Sequence, residues 1–290
     1  MNHTVLPADQ RIVENRTASS TEFIPSERIR IGNASIHNLT MEEAVRAVDE
    51  LILRRQPSIV VTPNVDHIVT LETNGGLQAA YDQARLVLAD GMPLLWTARL
   101  FGTPLKAKVS GSDLFPRLCH LAAEQGYKLF FLGGRPGAAQ TSADKLRDQF
   151  PQLEITTYCP PMGFERDERE NEKIVQLIRD AAPDLLFVGL GSPKQEIWML
   201  RHHEACGVPV AIGIGASFEF MAGFVRRAPV LFQRLGFEWL WRLACEPRRM
   251  FQRYVIKDSR FAGIVWRQWR SLRRGDPAGD ASVVPEDRVG

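Results

Sequence analysis

Short apolar runs, each leading through a glycine, proline or asparagine into a stretch of helical periodicity, constrain this chain more than any other feature. Ser58–Thr62, Leu185–Gly189 and Pro209–Ile214 contain no charged residue at all. A strand with one wet face alternates apolar and polar side chains, whereas a strand without a polar side must be covered on both faces. Strands of this kind that alternate with helices imply a parallel sheet between two helical layers. The expected class is α/β, a Rossmann-like parallel sheet with helices on both faces.

The expected elements follow in order. Arg28–Ile36 alternates like a half-exposed strand pair, and Thr40 with Glu43 forms a capping box that opens a helix over Met41–Arg54. Strand Ser58–Thr62 leads into a helix from about Val65, and strand Arg85–Ala89 leads through Asp90-Gly91-Met92-Pro93 into another. Ser112 or Asp113 is expected to cap a helix that Gly126 ends, before strand Lys128–Leu132 and the loop Gly133–Gly137. Strand Glu154–Tyr158, helix Glu168–Ala181, strand Leu185–Gly189, helix Pro193–Cys206 and strand Pro209–Ile214 complete the pattern. Hydrophobic residues at 44% and charged residues at 24% exclude disorder over most of the length. Residues 1–24 read as a disordered leader, 25–225 as the core, 226–274 as a C-terminal appendage and 275–290 as a loose polar tail.

Open parallel sheets bind ligands beyond the carboxyl ends of their strands. Five loops there are rich in Gly, Pro and polar groups: Thr62–Asp66, Asp90–Pro93, Gly133–Gly137, Gly189–Glu196 and Gly213–Glu219. Gly133-Gly134 and Gly191 would let backbone N–H groups approach a phosphate at a helix start. Neither loop matches GxGxxG and no Walker A loop is present, so a nucleotide diphosphate fits better than a nicotinamide or ATP. Asp90 is equally readable as a helix cap or as a base acting on a sugar hydroxyl, with Thr62, Asn64, Asp66, Lys108 and Gln195 expected at the same rim. No Asp-x-Asp pair exists to hold Mg²⁺ against a diphosphate, so cations and helix N-termini would have to neutralise it. His67, His120, His202 and His203 offer no metal set and read as solvated or capping histidines. Cys119, Cys159, Cys206 and Cys245 form neither a CxxC pair nor a disulfide framework.

The net charge is only +2, but Arg226–Arg274 holds twelve Arg and one Lys against Glu238, Glu246 and Asp258. The rest of the chain is therefore acidic, and the basic stretch also carries Trp239, Trp241, Trp266 and Trp269. At ~100° per residue, Phe251, Tyr254, Phe261, Val265, Trp269 and Leu272 share a side, with Arg249, Arg253, Lys257, Arg260, Arg267, Arg270 and Arg274 mostly opposite. Such a helix could pack on the body, lie on an anionic membrane or bind nucleic acid. The membrane is preferred, since no RNA-binding motif accompanies the charge and no nucleic-acid partner is expected.

Taken together the loops resemble the WecG/TagA/CpsF family of bacterial glycosyltransferases, from about Ile31 to Phe261. The resemblance rests on Thr62-Pro63-Asn64, Ala89–Pro93, Val109–Leu114, Phe131–Gly134, Gly189–Glu196 and Arg227-Ala228-Pro229, in family order. It implies transfer of a sugar from a UDP-sugar donor to a polyprenyl-diphosphate-linked saccharide, with inversion and without a metal or other cofactor. The place of action would be the cytoplasm, peripheral on the inner face of the bacterial membrane, and a homo-oligomer is compatible with it. By the same resemblance Asp90 is the general base, and Thr62, Asn64 and Gln195 line the sugar and acceptor pocket. The basic segment with Arg242, Arg248, Arg249 and Arg253 would close over the site. Two residues depart from the pattern: Lys108 stands where Arg is usual, and Glu219 stands near the nucleotide where Asp is more usual. The competing classes are a non-catalytic nucleotide-sugar or membrane-binding module and a nicotinamide-dependent dehydrogenase.

Overall fold

The computed structural model describes residues 27–229, Phe232, Trp241 and 259–275. The expected leader, the polar tail beyond 275 and the tail positions Arg242, Arg248, Arg249, Arg253, Phe251 and Tyr254 lie outside the described residues. An antiparallel hairpin, β1 (Arg28–Ile31) and β2 (Ala34–His37), precedes α1 (Met41–Arg54). Then come β3 (Ser58–Val61), α2 (Val65–Leu71), α3 (Gly75–Gln83), β4 (Leu86–Val87), α4 (Met92–Leu100) and α5 (Gly111–Gln125). The second half runs β5 (Leu129–Gly133), α6 (Ala138–Gln149), β6 (Ile155–Tyr158), α7 (Glu168–Ala181), β7 (Leu185–Gly189), α8 (Lys194–Cys206), β8 (Val210–Gly213) and α9 (Ser217–Ala222). After the gap, α10 spans Arg260–Arg274.

The main sheet has six strands in the order β4-β3-β8-β7-β5-β6, and every pairing in it is parallel. Successive strand residues point to opposite faces. Leu129, Phe131, Leu185, Phe187, Val210 and Ile212 accordingly pack with α1, α5, α6 and α9. Phe130, Leu132, Leu186, Val188 and Ala211 join the hairpin, α2, α3, α4, α7, α8 and Ile264 of α10. Both faces are dry, as the charge-free strands require.

Several local expectations shift. The single helix expected after β3 is two, because the Asn74 side chain accepts from the Leu77 amide and starts α3 anew. The cap of α5 is Ser110, not Ser112 or Asp113: its hydroxyl accepts from the Asp113 amide, which places Asp113 inside the first turn. The expected strand Arg85–Ala89 shortens to Leu86–Val87, although the Leu88 and Asp90 amides still donate to Val61 and Pro63 carbonyls.

In α10 the anchoring side chain is Ile264, which the expected apolar face omitted; Phe261, Val265, Trp269 and Leu272 are only half-buried and Trp266 is exposed. Gln268 locks the helix onto the hairpin, accepting from the Gly32 amide at 2.8 Å and donating to the Arg30 carbonyl at 2.8 Å, while Arg267 pairs with Glu72 at 2.6 Å. The helix thus packs on the body, with Arg260, Arg270, Arg273 and Arg274 exposed. No helix among the described residues is long and apolar enough to cross a membrane.

Phe115 stands edge-on to Phe131, Phe187 and Phe218, with ring centroids 5.3, 4.9 and 5.5 Å away. The four rings pin α5 and α9 to the sheet. Removing a buried phenylalanine ring costs about 3–5 kcal/mol. Phe115→Ala is therefore expected to lower the denaturant midpoint without changing the urea slope, a loss read by far-UV circular dichroism.

Candidate active site

A cavity of about 730 Å³ opens at the carboxyl edge of the sheet. All five loops singled out in the sequence contribute to it through Thr62, Asn64, Asp66, Asp90, Gly133–Pro136, Gly189–Ser192, Lys194, Gln195, Ile214–Ser217 and Glu219. A sixth wall, Pro160–Glu165 after β6, gave no sequence signal beyond its Pro and Gly content. Ser112, Phe220, Val225, Arg226 and Trp241 complete the lining, so the start of the basic appendage reaches the cavity.

The helix starts fall into two groups. α1, α2, α3, α5 and α7 each begin with a side chain that accepts from a first-turn amide. α4, α6, α8 and α9, which follow β4, β5, β7 and β8, have no side-chain cap bond. Carbonyls of Gly91, Arg135, Gly191 and Ile214 take one amide each in these first turns, and the helix dipole sets the positive end of each at this edge. The cationic side chains on the cavity wall are Arg135, Lys194 and Arg226, and Lys194 pairs with Glu165 at 2.6 Å.

The glycines have a structural reason to be there. A Cβ on Gly133, whose φ is +94°, would lie 2.7 Å from a Leu190 methyl and 2.9 Å from the Gly189 carbonyl oxygen. Packing of β5 on β7 therefore accounts for Gly133 without any phosphate. Gly191, at φ +76°, faces open space on the cavity wall. Glu219 also lines the cavity and is buried; one carboxylate oxygen accepts from the Arg135 amide at 3.1 Å and the other has no partner.

On the opposite wall the Asn64 carbonyl caps α2, accepting from the Asp66 and His67 amides at 3.0 and 3.4 Å, which leaves its amide group to donate to a ligand. His67 is a capping histidine: its Nδ1 lies 2.9 Å from the Asn64 side-chain oxygen and 3.3 Å from the Asn64 backbone nitrogen, so it donates to the first when protonated and accepts from the second when not. Thr62 spends its hydroxyl on the Gly213 carbonyl at 3.3 Å and ties β3 to β8. Gln195, 3% exposed, donates to Glu196 at 2.7 Å and accepts from the Gly215 amide at 3.2 Å. Asp90 lines the same cavity. Burial, with the charges of Glu196, Asp90 and Asp66, pushes the Tyr81 phenol well above its usual range, so these carboxylates share one electrostatic neighbourhood.

Lys108 is the one described site residue that does not line the cavity. Its ammonium lies 3.3 Å from Asp113, whose other oxygen takes the Arg227 guanidinium, while Ser110 donates to Asp113 at 2.6 Å. Two separate sequence motifs, Val109–Leu114 and Arg227-Ala228-Pro229, meet in this cluster, and it fixes where the chain leaves the core. Among the described residues no group of three or more His, Cys, Asp or Glu side chains could hold a metal ion.

The family model for glycosyl transferases of the WecG/TagA/CpsF type matches residues 29–275. The chain belongs to the WecG/TagA/CpsF family. It is a glycosyltransferase of cell-surface polysaccharide synthesis, and the dehydrogenase and non-catalytic readings fall away. Over 192 residues the transferase is 31% identical to the N-acetylglucosaminyldiphosphoundecaprenol N-acetyl-beta-D-mannosaminyltransferase of Bacillus spizizenii, covering 66% of this chain and 73% of that protein. A protein of the same description from Staphylococcus aureus is 26% identical over 225 residues, 77% of this chain and 87% of its own.

The Asp113 cluster makes a pH prediction. Burial alone would raise the Asp113 carboxyl, but hydrogen bonds from Ser110 and Arg227 and the Lys108 charge outweigh it and hold the group below its usual range. A carboxyl lowered on folding stabilises above its unfolded pKa of ~3.9, and that contribution disappears as pH falls through the folded value. Asp113→Asn should lower the melting temperature at pH 7, by about 1–3 kcal/mol of stability for a charged hydrogen-bonded group. The gap to the wild-type protein should narrow below pH 4, as differential scanning fluorimetry across pH would read.

Proposed function

We propose that this transferase moves a sugar from a UDP-sugar to a polyprenyl-diphosphate-linked saccharide with inversion at the anomeric carbon. Asp90 takes the proton of the acceptor hydroxyl as its oxygen attacks that carbon, and the bond to the diphosphate breaks on the opposite side. The observation that carries this reading is the pairing of charges around one cavity. Asp90, Asp66 and Asn64 line it after β3 and β4, and Arg135, Lys194 and Arg226 line it beside the starts of α6, α8 and α9.

Positive backbone ends, with Arg135, Lys194 and Arg226, would stabilise the charge that develops on the leaving diphosphate, and they do so best when water is excluded. Gly133, Gly134, Gly191 and Glu219 fall to the nucleotide side in this scheme, and Thr62, Asn64 and Gln195 to the sugar and acceptor side. Arg242, Arg248, Arg249 and Arg253 would add charge from the appendage once it docks. Lys108 would act at one remove, through Asp113 and Arg227.

The curated relatives, by their description, transfer N-acetylmannosamine to N-acetylglucosaminyldiphosphoundecaprenol. A lipid diphosphate of that kind is the acceptor class proposed here. An acceptor anchored in a bilayer supports action at a membrane surface, and the cytoplasmic face is the one proposed here. The exposed arginines of α10, with Trp266 58% exposed, suit a peripheral contact with anionic headgroups.

The direct test is UDP release from a UDP-sugar that depends on added lipid-linked saccharide. Asp90→Asn keeps the shape and removes the basicity, so transfer should fall about 10²–10⁴-fold while UDP affinity, measured by calorimetry, stays within a few-fold. Near-normal turnover would remove Asp90 from the role of base. Neutralisation of the diphosphate by the protein alone further predicts that activity survives excess EDTA. Loss on chelation, restored by Mg²⁺ or Mn²⁺, would show a metal in that role instead.

A further inference from the structure

Beneath the cavity runs a chain of hydrogen bonds centred on a carboxylate that has no place in the scheme above. Glu196 is 1% exposed. Its Oε1 accepts from the Gln195 amide at 2.7 Å and lies 3.3 Å from His67 Nε2. His67 in turn holds the Asn64 cap through Nδ1, and Gln195 holds the Gly215 amide. The sequence Asn64–His67–Glu196–Gln195–Gly215 therefore joins the loops that follow β3, β7 and β8 through one buried oxygen. Three of its members, Asn64, Gln195 and Gly215, line the cavity, as does the His67 ring.

A carboxylate in such a place is an expensive way to hold loops together. Taking an ion out of water costs several kcal/mol, and a well-packed apolar side chain of similar size usually serves stability as well or better. Here the second oxygen, Oε2, is buried without a partner, which adds to the cost. What the charge supplies is direction. A carboxylate oxygen takes two donors at once in a fixed geometry, and charge-assisted bonds are about twice as strong as neutral ones. Burial would raise the Glu196 carboxyl, but the His67 hydrogen bond and charge, followed by the Gln195 bond, outweigh it and keep the group ionised.

We propose that Glu196 is a positioning residue of the transfer reaction: through His67 and Gln195 it sets the acceptor-side wall, carrying Asn64, at a fixed distance from the loop at Gly215. This rests on the cavity being the site of transfer. Displacement of a reacting group by about 1 Å costs on the order of 10²-fold in rate.

The experiment compares Glu196→Ala, Glu196→Gln, His67→Ala and the double variant H67A/E196A as full-length protein, well below their melting transitions. E196A should lose on the order of 100-fold in kcat, with the KM for the UDP-sugar changed by no more than a few-fold. E196Q, whose amide oxygen can still accept both bonds, should recover most of that loss. The double variant should be no slower than the slower single one, because both remove the same link.

A second readout needs no substrate: hydrogen exchange at the Asn64 and Gly215 amides should speed up in E196A while amides of β5 and β7 keep their protection. Should E196A fail to fold, His67→Ala carries both measurements. A kcat within threefold of wild type, losses that multiply in the double variant, or unchanged exchange at Asn64 and Gly215 would each overturn the proposal. If the wild-type protein itself transfers no sugar to the lipid acceptor, the functional reading fails. The exchange measurement then still decides whether Glu196 fixes the two walls.

Discussion

The architecture turns on the close approach of β5 and β7 at their carboxyl ends. Gly133 and Gly189 pair in register there. A Cβ on Gly189 would sit 2.8 Å from the Phe218 ring, and one on Gly133 would meet Leu190 and the Gly189 carbonyl. The absence of two side chains lets Phe218 lie directly on the strand ends, and its ring joins Phe115 and Phe131 beneath. Short α9 is thereby seated against α6, where the Ser142 hydroxyl donates to the Phe218 carbonyl at 2.9 Å. The floor of the cavity is thus a packing result, and the loops around it inherit its rigidity. Close-packed interiors do not deform continuously, so a methyl group added there would move the floor.

That explains which parts were legible in the sequence. Strands such as Leu185–Gly189 announce themselves because a strand buried on both faces can carry no charge, and the five loops at their carboxyl ends follow from topology. Thr40 with Glu43 was readable as a capping box because both halves are local. The break between α2 and α3 was not, since one Asn in an otherwise periodic stretch decides it. The wall at Pro160–Glu165 was also hidden, because its membership depends on where β6 lies at the sheet edge. Gly133 was legible as a special position, but one reason for it was not: strand packing requires the glycine whether or not a phosphate comes near.

The side chains at the site divide the same way. Thr62, Asn64, Asp90, Gln195 and Glu219 could be picked from their motifs, and all line the cavity. Their individual duties could not be read, because a duty depends on the partner. Thr62 and Gln195 are largely occupied with backbone groups of β8 and the loop after it, while Asn64 caps a helix. Lys108 was expected beside them and instead neutralises Asp113, 3.3 Å away, from outside the cavity. No spacing rule connects Lys108 or Asp113 with Arg227, more than a hundred residues later.

The appendage follows from this last contact. Arg227 is anchored on Asp113, while α10 is held more than thirty residues further on by Ile264, by Gln268 on the hairpin and by Arg267 on Glu72. Both attachments lie on the folded core, so the segment between them is tethered at each end. Phe232 and Trp241, within that span, lie with ring centroids 5.9 Å apart and tilted by 58°, and Trp241 reaches the cavity wall. Through Arg267 and Glu72 the helix α10 rests on α2, the element whose start bears Asn64, Asp66 and His67.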